Sequence, residues 1–275
     1  MLLVTIVLYK KKIVNSSTLL GLIESKSVFN ANGCKLLLVD NSPETLNEID
    51  LKTLHTTFIN FEYKHFPENK SLASIYNEFI KGYSNATSFE YLVLLDDDSK
   101  VSVDFINTII STIETNYDVP LLLPIVYNNK IIVSPALDYV AFTRRFKQVK
   151  PGRISSKFIT AINSGMVISL KYIKKIKFHY DESLTNYGTD DYFMKHYRYN
   201  NKSVIVMPYK FTHSLSFFDN DELDVKIKVF KACRNSKIIL YKDNFFHYSL
   251  ALFYAICSSL KQSVKYRTIK FLYVN

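Results

Sequence analysis

The sequence predicts an α/β fold in which a mostly parallel central sheet is flanked by helices. Two observations predict it: short apolar runs recur along the first half of the chain, and segments with helical periodicity separate them. Strands that alternate with helices pair in parallel through right-handed crossovers. A core of ordinary size is expected, because 48% of the 275 residues are hydrophobic and 22% are charged.

Five strands are predicted in the first half. They are residues 2–9, 35–39, 57–63, 91–95 and 121–126. The runs LLVTIVLY, KLLLV and YLVLL are apolar almost throughout, as is expected for strands that are buried on both faces. The helices between them are residues 16–30, 71–86 and 103–117. Ser16 or Ser17 can cap the first helix, and apolar residues spaced three or four apart give the second helix one hydrophobic stripe.

The second half is less regular. A hairpin turn is predicted at residues 128–130, and the basic segment 138–160 is expected to be an irregular, mobile loop. The elements that follow are a strand at 162–169, a helix at 189–199, a strand at 203–207 ending at Pro208, and two helices at about 221–240 and 245–265. We therefore expect one domain over residues 1–220 and a basic, aromatic-rich C-terminal helical extension over residues 221–275.

Carboxylates follow two of the buried strands. Asp40 follows the second strand, and Asp96, Asp97 and Asp98 follow the fourth. Ligands of parallel α/β sheets bind at the carboxyl ends of the strands. Because three adjacent carboxylates repel one another, their position favours a divalent cation, which takes oxygen ligands and shares them with substrate phosphates. The alternatives are a turn of solvated acids after the fourth strand and ordinary Asp-Asn-Ser-Pro turn chemistry at Asp40.

Three further side chains are candidates for chemistry. Asp190 and Asp191 begin a helix directly after Gly188-Thr189. Either can serve as a general base, or both can simply favour the helix dipole. A neutral His213 can complete a metal site or contact a phosphate, and the alternative is a structural histidine.

Eight short segments of this chain resemble, in order, the family 2 glycosyltransferases with the GT-A fold. They are VTIVLY, VDNS, NKSLASIYN, LLDDDS, INSGMVIS, YGTDDYF, HSLS and the pair Arg234-Asn235, across residues 2–235. The chain looks closest to the rhamnosyl- and galactofuranosyl-transferase-like members, which build bacterial surface polysaccharides. Each segment alone is weak, whereas eight in the same order are specific.

The resemblance implies roles for particular residues. Those expected at the nucleotide sugar are Thr5, Tyr9, Asp40, Asn69, Ala73, Asn77, Asp96, Asp97, Asn163, Ser164 and Gly165. Those expected at the metal are Asp98, Asp96 and His213. Asp190 takes the place of the catalytic aspartate, with Phe193 at the matching aromatic spacing. Because Thr189 replaces the usual Glu and the family's arginine is displaced to Arg198, Asp191 stays an alternative base.

The implied reaction is an inverting transfer from a UDP- or dTDP-linked sugar, with Mn²⁺ or Mg²⁺ neutralising the departing diphosphate. The implied acceptor is a growing bacterial surface glycan (O-antigen or capsule) linked to polyprenyl diphosphate. Two alternatives remain. A sugar-phosphate nucleotidyltransferase usually has an early glycine-rich loop, and residues 8–20 contain no Gly. A non-catalytic nucleotide-sugar or glycan-binding module can have the same fold.

Charge and cysteine content indicate the compartment. The net charge is +10, and residues 226–275 hold ten Lys or Arg against one acid, Asp243. The uncharged aromatic run at 244–260 is interpreted as an interfacial helix on an anionic membrane surface, with helix packing or a homodimer contact as the alternative. No nucleic-acid partner is expected, because the excess positive charge lies away from the acid cluster. Three widely spaced cysteines and no recognisable signal peptide predict a cytoplasmic protein, peripheral at the inner face of the plasma membrane.

Overall fold

The computed structural model describes residues 1–85, 88–140, 142–213 and 222–273. Its strands are β1 (Leu2–Leu8), β2 (Lys35–Asp40), β3 (Asn60–His65), β4 (Tyr91–Asp96), β5 (Leu121–Asn128), β6 (Ile131–Ser134), β7 (Ala136–Asp138), β8 (Thr143–Arg145), β9 (Gly152–Ser155), β10 (Ile159–Thr160), β11 (Met166–Ser169) and β12 (Ser203–Thr212). Its α-helices are α1 (Ser17–Glu24), α2 (Lys26–Ala31), α3 (Glu48–Thr57), α4 (Leu72–Tyr83), α5 (Asp104–Thr115), α6 (Leu170–Lys175), α7 (Thr189–Asn200), α8 (Leu223–Leu240) and α9 (Phe245–Tyr266). Short 3-10 turns are formed by Ile13–Asn15 and Ile269–Phe271.

The central sheet is mostly parallel, which confirms the predicted fold class. In the described chain its strands lie in the order β3-β2-β1-β4-β11-β5-β12-β9, with β6 beside β5. The strands β3, β2, β1 and β4 are parallel to one another, and β5 is parallel to β12. Because β11 is antiparallel to both β4 and β5, the carboxyl ends of β4 and β12 lie at the same edge of the sheet.

Helices cover both faces of this sheet, which explains the apolar runs. Along β2, Leu36 and Leu38 pack on one face, whereas Leu37 and Val39 pack on the other. Helices α1, α2 and α5 contribute to the first core, and α4, α6 and α7 contribute to the second. A strand buried on both faces has no solvent side, and so its sequence shows no polar alternation.

Two features of the first half differ from the predicted elements. The expected helix at 16–30 is divided at Ser25, whose hydroxyl donates to the carbonyl oxygen of Gly21 at 2.7 Å. Such back-bonding bends helices. Helix α3 is not predicted by the sequence pattern, because it has no apolar stripe and buries only Leu54. Asn47 caps this helix. Because the helix extends to Thr57, strand β3 begins later than expected, at Asn60.

The segment expected to be a mobile loop is built into two sheets. β7, β8 and β10 form a three-stranded sheet, and β9 pairs with β12 at the edge of the central sheet. Pro208 does not end β12, because the register shifts between Val206 and Lys210 and the strand continues to Thr212. A bulge of this kind accommodates the missing N–H group of proline.

A tight turn shortens the strand expected at 162–169, which begins only at Met166. Gly165 in this turn has a φ of +81°. A Cβ atom there would lie 2.6 Å from Cγ of Pro124 and 2.9 Å from Cε1 of Phe211. Glycine therefore meets two requirements at this position, a left-handed backbone and a close approach between chain segments.

The two C-terminal helices are present and pack against each other. Arg234 on α8 donates to Oγ of Ser259 on α9 at 3.1 Å and to the carbonyl oxygen of Phe271 at 3.0 Å. The expected boundary between residues 220 and 221 falls in the segment 214–221, outside the described residues, as do the last three residues of the HSLS segment. None of the described helices is long and apolar enough to cross a membrane.

Candidate active site

The start of α1 holds the acidic turn that follows β4. Oγ1 of Thr18 lies 2.5 Å from the carbonyl oxygen of Asp96 and 2.9 Å from that of Ser99. Oγ of Ser16 donates to the carbonyl oxygen of Asp97 at 2.7 Å. The hydroxyl groups at the start of α1 thus form hydrogen bonds with the backbone carbonyl oxygens of the turn. The carboxylates of the turn line a cavity.

The three side chains expected to bind a metal lie together where β4 and β12 end. One ligand atom each of Asp96, Asp98 and His213 lies within 4.8 Å of the other two. Nδ1 of His213 is 3.0 Å from Oδ1 of Asp98, and Nε2 is 3.8 Å from Oδ2 of Asp96. Oδ1 of Asp98 is buried and accepts no well-directed hydrogen bond. Two carboxylates, one of which has a buried oxygen without a hydrogen bond, and an imidazole fit a divalent cation.

Electrostatic repulsion within this Asp-Asp-His trio favours added positive charge. Burial raises the pKa of Asp96 to about 6, and the charges of Asp98 and Asp97 act in the same direction. Burial alone would lower the pKa of His213, but the adjacent carboxylates of Asp98 and Asp96 raise that pKa above the usual value. Asp97 has its own partner, since Nζ of Lys11 lies 2.6 Å from its Oδ1.

The adjacent acids Asp190 and Asp191 at the start of α7 have different surroundings. Oδ1 of Asp191 accepts from Oγ1 of Thr160 at 2.5 Å, and its Oδ2 lies 3.5 Å from Nζ of Lys237. Oδ1 of Asp190 accepts the backbone N–H of Asp191 at 2.8 Å. Burial raises the pKa of Asp190 to about 7, and the charge of Asp191 adds to this shift. Asp190 can therefore exchange a proton near neutral pH.

A buried ionic network connects α8 to this carboxylate pair. Nζ of Lys237 is 2.7 Å from Oδ1 of Asp138, whose Oδ2 accepts from Nη2 of Arg198 at 3.1 Å and from the hydroxyl of Tyr241 at 2.8 Å. Burial alone would lower the pKa of Lys237, but Asp191 and Asp138 raise it well above its usual value. The pairing of Lys237 with Asp138 and Asp191 could not be predicted from the sequence, because nothing local distinguishes Lys237 from the other lysines of α8.

A cavity of about 1060 Å³ connects these groups. The expected site residues that line it are Tyr9, Asn69, Asp96, Asp97, Asp98, Asn163, Asp190, Asp191 and His213. Helices α8 and α9 also line the cavity, through residues that include Arg234, Lys237, Tyr254 and Lys261. The volume lies just above the usual range for a site that binds one small ligand.

Asn41 lines the cavity, although the sequence analysis selected its neighbour Asp40. The side chain of Asn41 is buried, and its Nδ2 donates to Oδ1 of Asn69 at 3.0 Å and to the carbonyl oxygen of Lys70 at 2.8 Å. Its buried Oδ1 accepts no hydrogen bond within the described chain. The strand-end signal that selected Asp40 would have found Asn41 too, because the two residues are consecutive.

Six expected site residues do not line the cavity: Thr5, Asp40, Ala73, Asn77, Ser164 and Gly165. Two of them have hydrogen bonds within the framework. Thr5 donates to the carbonyl oxygen of Val93 at 3.0 Å, inside the sheet. Asp40 accepts from the hydroxyl of Tyr63 at 2.8 Å and from two backbone N–H groups. The expected contacts between these six residues and a nucleotide sugar stay a prediction.

The fold is that of the GT-A glycosyltransferases. No family model and no curated protein matches the sequence. S. aureus TarS has a TM-score of 0.56 at 14% identity, over 86% of this chain and 39% of that chain. TarS 1–349 in complex with UDP-GlcNAc has a TM-score of 0.54 at 12% identity, over 86% of this chain and 66% of that one. GalNAc-T7 with UDP, GalNAc and Mn²⁺ has a TM-score of 0.54 at 10% identity, over 98% of this chain and 58% of that one. This chain thus spans well under half of the longer TarS chain.

We expect Lys237→Met to lower the free energy of unfolding by about 3–5 kcal/mol, because it removes the cation beside Asp191 and one of the two cations beside the buried Asp138. Lys242→Met is the matched control. Lys242 pairs with Asp181 at 2.6 Å, but its side chain is 48% exposed, so its loss should cost less than about 1 kcal/mol. Urea denaturation of both variants at pH 7.5 measures the difference. An equal decrease in the free energy of unfolding for both variants would show that the buried network contributes no more to stability than a surface ion pair.

Proposed function

We propose that this chain is a metal-dependent, inverting family 2 glycosyltransferase that moves a sugar from a UDP- or dTDP-linked donor to an acceptor hydroxyl. The observation that carries the proposal is one cavity, on a GT-A fold, that contains both the Asp-Asp-His trio and Asp190. The complexes of TarS with UDP and UDP-GlcNAc, and of GalNAc-T7 with UDP and Mn²⁺, support a nucleotide-sugar donor.

Different residues of the chain act on the donor and on the acceptor. Asp96, Asp98 and His213 would hold Mn²⁺ or Mg²⁺, which neutralises charge on the departing diphosphate. The unpaired Oδ1 of Asn41 can accept a hydrogen bond from the nucleoside. Asp190 takes the proton of the acceptor hydroxyl as this attacks the anomeric carbon from the face opposite the diphosphate.

A single displacement of this kind inverts the anomeric configuration. It needs no carboxylate as a covalent nucleophile, in contrast to retaining glycoside hydrolysis. The surroundings of Asp191 agree with this division of roles, because Thr160 and Lys237 already engage both of its oxygens. Asp190 is therefore the better candidate for the base, and Asp191 a group that holds α8 against α7.

The acceptor that we propose is a growing bacterial surface glycan, linked to polyprenyl diphosphate at the inner face of the plasma membrane. Helix α9 supports contact with that membrane. It buries only Ala251, Ala255 and Ser259, and it exposes large apolar side chains: Phe245, Phe246, Phe253, Ile256, Leu260 and Val264. Lysine and arginine residues follow the aromatic part of α9 along the chain, between positions 261 and 270. Apolar exposure with nearby cations suits an anionic bilayer surface.

The pH dependence tests the base. Because burial raises the pKa of Asp190, the carboxylate is protonated in acid, and kcat/KM should rise with pH through about 7. Asp190→Asn should lower kcat about 10²–10⁴-fold with little change in donor KM. Asp191→Asn should keep most activity and move the acid limb to lower pH, since it removes a charge that raises the pKa of Asp190. If Asp191→Asn is the inactive variant, the two roles are exchanged.

Metal-dependent donor binding tests the trio. UDP or dTDP should raise the melting temperature only when Mn²⁺ is present. At a hundredfold excess of nucleotide over its Kd, binding should add about 2.7 kcal/mol to the free energy of unfolding. Asp98→Ala should lose this Mn²⁺-dependent rise and all sugar transfer while it stays folded. Asp104→Ala, on the exposed first turn of α5, should behave as the parent protein. A wild-type response from Asp98→Ala would exclude the proposed metal site, and absence of any response to either UDP or dTDP would exclude a nucleotide-sugar enzyme of the proposed kind.

Vesicle binding tests the exposed face of α9. Phe253→Ser combined with Ile256→Ser should reduce cosedimentation with vesicles that contain phosphatidylglycerol, and the remaining binding should weaken with salt. Ile49→Ser combined with Ile59→Ser is the matched control, because both isoleucines are 79% exposed but lie far from α9 in sequence. Unchanged vesicle binding, together with a change from dimer to monomer in sedimentation, would assign the face to a homodimer.

A further inference from the structure

Lys237 lies where β7, α7 and α8 meet at the cavity. Its Nζ is 2.7 Å from Oδ1 of Asp138, at the end of β7, and 3.5 Å from Oδ2 of Asp191, in the first turn of α7. Its side chain is 17% exposed, and the residue lines the cavity. A cation held between two acids in a cavity wall can act on the chemistry inside the cavity, in addition to its contribution to stability.

Close packing between α8 and the start of α7 brings Lys237 to this position. Gly188 caps α7 with a φ of +84°, and a Cβ atom there would lie 2.6 Å from Cβ of Ser236. The two segments therefore leave no room for a side chain at position 188. Because Ser236 directly precedes Lys237, this contact sets the distance between the ammonium group and Asp191.

The position of Asp191 affects Asp190 through the backbone. Thr160 and Lys237 engage the two carboxylate oxygens of Asp191. The backbone N–H of Asp191 donates to Oδ1 of Asp190 at 2.8 Å. A fixed Asp191 thus fixes one carboxylate oxygen of Asp190, the residue that lines the cavity as the proposed base.

The titratable groups whose charges interact with Asp190 come from several elements. They are Asp191 on α7, Asp96 at the end of β4, Tyr76 on α4, Tyr180 between α6 and α7, and Cys233 and Lys237 on α8. Of these groups, only Lys237 is a cation. Burial, Asp191 and Asp96 raise the pKa of Asp190, whereas the charge of Lys237 lowers that pKa.

We infer that Lys237 is a positioning residue for sugar transfer: it holds Asp191 in place, and its positive charge favours the ionised form of Asp190. The inference rests on the proposed function and adds a residue of α8 that acts through Asp191. A unit charge about 10 Å from a carboxylate changes its pKa by about one unit at an effective dielectric constant of about 20. The base is therefore ionised at neutral pH to a useful extent only when α8 is packed against α7 and β7.

The pH dependence of sugar transfer by the full chain tests this role. Lys237→Met removes the charge but keeps an unbranched side chain, and the acid limb of kcat/KM should move up by about one pH unit. The loss in kcat/KM should be about tenfold near pH 6 and small near pH 9, because Asp190 is ionised in both proteins at the higher pH. Lys237→Arg keeps the charge and should keep the parent's acid limb.

Tyr241→Phe is the structural control. It removes a hydrogen bond to Asp138 but no charge, so it should lower the free energy of unfolding and leave the acid limb in place. Each variant is assayed at a temperature at which circular dichroism shows it to be folded. If Lys237→Met lowers kcat/KM equally at both pH values, Lys237 serves stability alone and the inference is wrong.

Asp138→Asn breaks the same ion pair from the other side. It removes a negative charge and leaves Asp191 as the described acid beside Lys237, so the acid limb should move to lower pH. A role in stability alone predicts no opposite movement for these two variants. Asp138→Asn also decides the question if Lys237→Met does not fold, since an acid limb that is unchanged or moves to higher pH would overturn the inference.

The pKa of Asp190 itself separates this inference from the proposed function. It can be measured without substrate, by ¹³C NMR titration of the carboxyl carbon with EDTA present. That pKa should be about 7 in the parent protein, higher in Lys237→Met and lower in Asp138→Asn. These shifts in a protein that transfers no sugar would overturn the proposed function and keep the effect of Lys237 on the carboxylate. Sugar transfer without these shifts would overturn the inference alone.

Discussion

Charge compensation inside a partly buried cavity is the constraint on which this site depends. Among the described residues, five carboxylates line one cavity, and four of them have a charged or imidazole partner nearby. Lys11 compensates Asp97, His213 lies beside Asp96 and Asp98, and Lys237 lies beside Asp191. Asp190 is relieved in another way, because burial and its neighbour raise its pKa to about 7, where it can bind a proton. The arrangement keeps one acid available for proton transfer and two available for a cation.

The same constraint makes the C-terminal helices part of the site. Asp138 ends β7 in the small sheet, and it receives Lys237 and Tyr241 from α8 and Arg198 from α7. Burial of this carboxylate is opposed by Lys237 and Arg198, which hold its pKa below the usual value. A segment with the composition of a loop is ordered here because its acid neutralises two buried cations. Residues from both sides of the expected boundary, 1–220 and 221–275, therefore line the cavity, and the division into a domain and an extension stays a prediction.

The acidic sheet edge of the cavity suits the donor of the proposed reaction. A nucleoside diphosphate sugar needs a cation beside its phosphates, and the sheet edge supplies the ligands for one. Because the face of α9 away from the cavity is apolar and exposed, this helix can also set the distance between the cavity and a membrane surface.

Local sequence determined the buried strands, most of the helices, and the acids at the ends of β2 and β4, because apolar runs and strand ends are local properties. The resemblance placed Asp96, Asp98 and His213 in one site, and they do lie together, although a bulge past Pro208 was needed to extend β12 to His213. Helix α3 and the strands between 138 and 160 could not be predicted, since little apolar burial marks them. Only the tertiary structure decided which of two adjacent aspartates is paired. Thr160 and Lys237 engage both carboxylate oxygens of Asp191, whereas the described bonds of Asp190 include only a backbone N–H donor. Thr160 and Lys237 come from distant parts of the chain, and so no spacing along the sequence specifies them as partners.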